Sequence, residues 1–91
     1  MNNTDLLDEF CDNLWLEDGL SRNTLDSYRR DLTKFALWLE QQCGAPIPQA
    51  THGDIQGYLA HLVTVQKAKP SSTGRNISSL KRLFRYLLRQ G

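Results

Sequence analysis

Between Ser21 and Leu39 the chain reads SRNTLDSYRRDLTKFALWL, and this run constrains the fold more than any other. At about 100° per residue, Leu25, Tyr28, Leu32, Phe35, Ala36 and Leu39 fall on one stripe, wide enough to face a packed core. Opposite lie Asn23, Ser27, Arg30 and Lys34, with Asp26 at one edge and Arg29 flanking. Short polar groups and long cations on one face suit either water or phosphate. Ser21 is a good N-cap with Thr24 three residues on, and Leu20 can staple onto Leu25 across it. Free amides and the positive dipole end favour an anion near Arg22, Asn23 and Thr24. The plainer reading of the polar face is a solvated surface laced by pairs such as Asp26 with Arg30.

The remaining segments are also helical. Thr4 is placed to cap a first helix reaching about Asp18, with Leu7, Phe10, Cys11 and Leu14 inward and Leu6 and Trp15 widening the stripe. Gly19 supplies a left-handed stop. The central helix is expected to end near Gln42, with Gly44 past it and GAPIPQA as a loop held extended by Pro46 and Pro48. Thr51 and Asp54 form an acidic capping box. Ile55, Tyr58, Leu59, Leu62 and Val63 then face inward as far as about Gln66.

After a break at Lys67–Pro70, Ser71 or Ser72 is expected to cap a last helix running to about Gln90. Its inner stripe is Thr73, Ile77, Leu80, Phe84 and Leu87, flanked by Leu83 and Leu88. Its outer stripe is Ser71, Arg75, Ser78, Arg82, Arg85 and Arg89. No period-two alternation or hairpin dipeptide competes. The pattern predicts an all-α fold of four helices.

At 91 residues the chain, residues 1–91, is one domain with a single modest core. No apolar run approaches the roughly 20 residues of a membrane span, and the acidic N-terminus is unlike a targeting signal. These features give a soluble, cytoplasmic expectation with no membrane partner. Cys11 and Cys43 are expected as reduced thiols at core or boundary positions. The net charge of +1 conceals a partition. Residues 1–20 carry six acids and no Lys or Arg, residues 21–66 balance, and residues 67–91 carry seven cations and no acid. A basic side for an anionic partner follows.

A hydrolytic or transfer site needs a nucleophile, a base and an oxyanion donor that converge, and no such set is present. His52 and His61 read as surface residues, and Cys11, Cys43, His52 and His61 lack zinc-ligand spacing. The glycines are isolated, so no phosphate-cradling loop is formed. The expectation is no catalytic residue, no metal and no cofactor. Tyr28 and Tyr58 fall on core stripes, and Tyr86 reads as packing. What remains is two helices, each with hydroxyl and cation groups on one face, and helices fit a DNA major groove. The competing reading is a protein-interaction module using Leu6, Trp15, Leu37 and Trp38, which would not need the Arg75, Arg82, Arg89 stripe.

The run LWLEDGLSRNTLDSYRRDLTKFALWL with SSTGRNISSLKRLFRYLL resembles the N-terminal core-binding domain of tyrosine recombinases, nearest the XerD branch of the Xer group. The likeness spans about Leu6 to Gln90. Its most specific parts are Asn23-Thr24, Tyr28 to Leu32, Lys81 to Phe84 and Tyr86-Leu87. It implies a four-helix, SAM-like orthogonal bundle forming half of a clamp on a recombination half-site of double-stranded DNA, with a separate C-terminal catalytic domain that this chain lacks. It further implies a role in DNA integration and recombination, including chromosome dimer resolution, alongside XerC-like partner protomers, with the isolated domain a monomer. By that likeness the DNA-facing residues are Arg22, Asn23, Thr24, Ser27, Arg30 and Lys34 on the second helix and Ser71, Ser72, Arg75, Ser78, Arg82 and Arg85 on the fourth. Arg85 and Arg89 would reach flanking phosphates or the missing domain.

Overall fold

In a computed structural model, which describes residues 2–90, the chain forms four α-helices: α1 (Asn3–Asn13), α2 (Arg22–Cys43), α3 (His52–Thr64) and α4 (Pro70–Gln90). A π-helical turn, Leu14–Asp18, follows α1, and a 3-10 turn, Ile47–Gln49, precedes α3. No strand occurs among the described residues. The core is drawn from all four helices and is centred on α2, which packs against each of the others.

The α2 stripe is buried as its spacing predicts: Leu25, Tyr28, Leu32, Phe35, Ala36 and Leu39 all lie inside. Ser21 Oγ accepts from the Thr24 amide, and Gly44 closes the helix at φ 65°. Thr51 and Asp54 complete the reciprocal capping box that starts α3. Aromatic rings join the layers. Phe10 of α1 meets Tyr86 of α4 with centroids 5.6 Å apart, and Tyr58 of α3 stands edge-on to Phe35 at 5.1 Å and tilted to Trp38 at 5.4 Å. Each fully buried ring or leucine of this kind contributes roughly 1.5–3 kcal/mol.

Several sequence expectations are corrected. The cap of α1 is Asn2, whose side chain accepts from the Asp5 amide, and not Thr4. The first helix does not continue to Asp18 as an α-helix. Widening into a π turn after Asn13 shifts the register, so Leu14 is the last buried residue and Trp15 and Leu16 project into solvent. Leu6 is buried, as its place widening the inner stripe implies, and Trp38, whose position the sequence left open, packs against the core beside Gly57.

The third helix stops at Thr64, short of Gln66, and Val63 is exposed because no element covers that side. His61 is half-buried and stacks on Tyr58, where a solvated position was expected. The last helix begins at Pro70, a residue suited to a first turn, ahead of Ser71 and Ser72. Its inner side is centred on Asn76, Ser79, Leu80, Leu83 and Tyr86, and Leu88 is exposed. Asn76 and Ser79 are tolerated inside because Asn76 Nδ2 donates to the Ser72 carbonyl and Ser79 Oγ to the Asn76 carbonyl. Cys43 is exposed and donates to Asp54, while Cys11 is half-buried; both thiols are free.

Candidate nucleic-acid interface

Two elements carry the polar faces. α2 buries one stripe and leaves Asn23, Arg30 and Lys34 exposed and Thr24 and Ser27 half-buried at its edge. α4 buries the side containing Leu80 and Leu83, which leaves Ser71, Arg75, Ser78 and Arg85 exposed and Ser72 and Arg82 half-buried. The two helices pack on each other, and their junction is fastened by Asp31 and Arg75. Arg75 Nε donates to Asp31 Oδ2 at 2.6 Å and Nη2 donates to Oδ1 at 3.2 Å. The carboxylate is 5% exposed, whereas the arginine side chain is 42% exposed. Hydrogen bonding to Asp31 and its negative charge raise the Arg75 pKa, so the guanidinium is a fixed cation.

Not all the sequence-predicted residues come together. Thr24 and Asp31 are seven positions apart on α2, about two turns, so Thr24 lies on the side of α2 that faces α4. Its hydroxyl is 2.9 Å from Ser21 Oγ. Ser27, Arg30 and Lys34 continue outward from that edge. Arg22 turns to the opposite side and lines a groove between α1 and α2 with Cys11, Asp12, Trp15 and Asp26. Ser72 contributes its carbonyl to Asn76. Arg82, Arg85 and Arg89 line a small cleft of about 70 Å³ with Phe10, Asn13, Leu14, Asp18 and Tyr86.

The arginines of α4 have no acid on their own helix, yet three are paired with acids from elsewhere. Besides the Asp31 pair, Arg82 Nη1 donates to Asp18 Oδ2 at 2.8 Å, and Arg89 lies 3.9 Å from Glu17. Both acids belong to the π turn. The expected Asp26–Arg30 pair does not form; Arg29 instead pairs with Asp8 of α1. Among the described residues Arg22, Arg30, Lys34, Lys81 and Arg85 make no ion pair, so their charge is free for an outside anion.

Asp31 is the residue that pattern reading passed over. It lies three residues after Tyr28 and four before Phe35, both core positions, which is the signal that its side chain is walled in. Near it, the Tyr58 hydroxyl is buried with no hydrogen-bond partner, and burial, with the Asp31 charge adding, pushes its pKa up to about 12. No group of metal-ligating side chains occurs among the described residues, and no helix in them is long and apolar enough to cross a membrane.

Comparison with known proteins agrees with this architecture. The family model for the phage integrase N-terminal SAM-like domain matches residues 7–91. Tyrosine recombinase XerD of Pseudomonas putida is 47% identical over 93% of this chain and 28% of its own length. That of Shewanella oneidensis is 45% identical over 91% of this chain and 27% of its own length, and that of Ralstonia nicotianae 42% over 98% and 28%. The chain thus spans little more than a quarter of these curated relatives. No solved structure gives a significant match. The match across all four helices places the chain in the N-terminal SAM-like domain family of phage integrases and Xer-type tyrosine recombinases.

Proposed function

We propose that this domain binds double-stranded DNA as the non-catalytic N-terminal part of a site-specific recombinase, gripping a recombination half-site with α2 and α4. The observation that carries the reading is the side-by-side packing of those helices. It sets on neighbouring helices Thr24, Ser27, Arg30 and Lys34 of α2 and Ser71, Arg75, Ser78 and Arg82 of α4, and this mixture of cations and hydroxyls suits positioning phosphates and reading base edges. Arg30 and Lys34 are exposed and unpaired among the described residues, so they meet phosphate without first breaking a protein contact.

In this reading cleavage and rejoining belong to a further domain, and chromosome dimer resolution with a XerC-like partner is the process served. The free domain acts as a monomer. Acids of α1 and the π turn pair with Arg29, Arg82 and Arg89, and the cations left without a partner among the described residues include Arg30 and Lys34 of α2 and Lys81 and Arg85 of α4.

The test is an NMR titration of the labelled domain with a Xer-type half-site duplex at low and moderate salt. Salt-sensitive shifts at Thr24, Arg30, Lys34, Arg75 and Arg82 are expected. Trp15 and Leu16, 55% and 79% exposed, favour an alternative, protein-binding role. Shifts confined to those two residues on raising protein concentration, with none on adding duplex, would establish that role instead.

A further inference from the structure

We propose that Asp31 is a positioning residue for DNA binding: from its buried seat it grips one edge of the Arg75 guanidinium, so that the other edge is held outward as a fixed donor for a phosphate oxygen. The inference rests on the DNA-binding reading above and names a residue that does not itself touch DNA.

An arginine carries five N–H donors in a rigid planar fork. Asp31 takes the Nε donor and one Nη2 donor, at 2.6 and 3.2 Å. Three donors are left, two of them on Nη1. The carboxylate side of the pair is closed to solvent and the arginine side is open. The free donors therefore face solvent at the α2–α4 junction that the pair fastens. A long side chain on a surface ordinarily loses rotamer freedom when it binds; here the loss has already occurred in the free protein. A lysine, as a point charge on a flexible stem, would be drawn to the carboxylate without offering a second edge. Arg82 is a contrast, because its acid, Asp18, is itself exposed and holds it only at Nη1.

The test compares wild type, Asp31→Asn, Arg75→Lys and Arg75→Ala in binding a fluorescein-labelled duplex of about two helical turns, across a salt series. Asp31→Asn removes a negative charge, so long-range attraction alone would tighten binding. Positioning requires the reverse: about three- to tenfold weaker binding, the loss of one oriented charge-assisted contact. Arg75→Lys is expected to match Arg75→Ala, with the slope of log K on log salt reduced by about 0.9 in each. Equal or tighter binding by Asp31→Asn, or wild-type affinity in Arg75→Lys, overturns the proposal while leaving DNA binding in place. Absence of wild-type binding at low salt overturns both.

A wild-type measurement keeps the test decisive if Asp31→Asn or Arg75→Ala does not fold. The Arg75 Nε–H resonance is expected to stay protected on adding duplex while its Nη protons shift. An Nε–H signal that moves to the position of free arginines would show that the pair opens, and would overturn the proposal.

Discussion

Arg82 and Asp18 meet at 2.8 Å across 64 positions of sequence, joining the middle of α4 to the π turn ahead of α2. Both side chains are more than a third exposed, so the pair adds at most about 1 kcal/mol to stability. Under the proposed DNA-binding function its greater effect is on charge, since Asp18 would compete with phosphate for Arg82. Asp18→Asn should leave the melting temperature nearly unchanged and tighten duplex binding about two- to fivefold at low salt. The gain should vanish at high salt. Thermal unfolding and anisotropy measured on the same samples check both halves.

Removing Arg75 should instead damage the fold. Arg75→Ala leaves the buried Asp31 carboxylate without its counter-ion, an arrangement that costs about 3–5 kcal/mol when fully buried and somewhat less here because the arginine is part exposed. Replacing both residues together, Asp31→Leu with Arg75→Met, should recover much of that loss. Urea unfolding of the single and double variants measures the coupling.

Tyr58 gives the domain a distinctive alkaline limit. The unfolded hydroxyl ionises near 10, whereas in the fold its pKa is pushed up to about 12, so the folded state holds the proton more tightly. This contribution to stability is full below pH 10 and is lost as pH rises towards 12, on the order of 3 kcal/mol in all. Tyr58→Phe should abolish that part of the pH dependence. Because the hydroxyl is buried without a partner, the same change should be neutral or stabilising by up to about 1 kcal/mol at pH 7. Denaturant unfolding across the alkaline range of both proteins tests the sign and the size.

Two glycines should respond to alanine in opposite directions. Gly19 sits at φ 62°, in the left-handed region, and alanine there should cost about 1 kcal/mol. Gly74 lies within α4 with open space where a Cβ would go, so alanine should stabilise by about 0.5–1 kcal/mol through helix propensity. Melting curves of the two variants should shift apart.

How far the sequence revealed these features depended on the physics behind each one. The α2 stripe was fully legible because every one of its positions is apolar and its caps are strong. Asp31 was hidden because a charged residue reads as solvated unless its neighbours on the helix are weighed, and its partner is 44 positions away. The pairing of Arg82 with Asp18 was invisible for the same reason. Val63 and Leu88 continue an apolar pattern past the reach of any packing element, so periodicity alone overstated the core. The π turn is a change of backbone register with no signature in composition, and it is what moved Trp15 to the surface. The two polar faces of α2 and α4 could be read from spacing; which cations on them are already held by acids could not.

The contact between Phe10 and Tyr86 has a kinetic corollary. It joins the first helix to the last, so α1 has no complete seat until α4 has been made. A ribosome extends the chain from its N-terminus, so α1 can rest on α2 and pair Asp8 with Arg29 early, but both must wait for the closing aromatic partner. Folding should therefore be all-or-none and late. A nascent chain arrested after Thr64 should remain sensitive to protease along α1, and one extended past Tyr86 should become resistant in a single step.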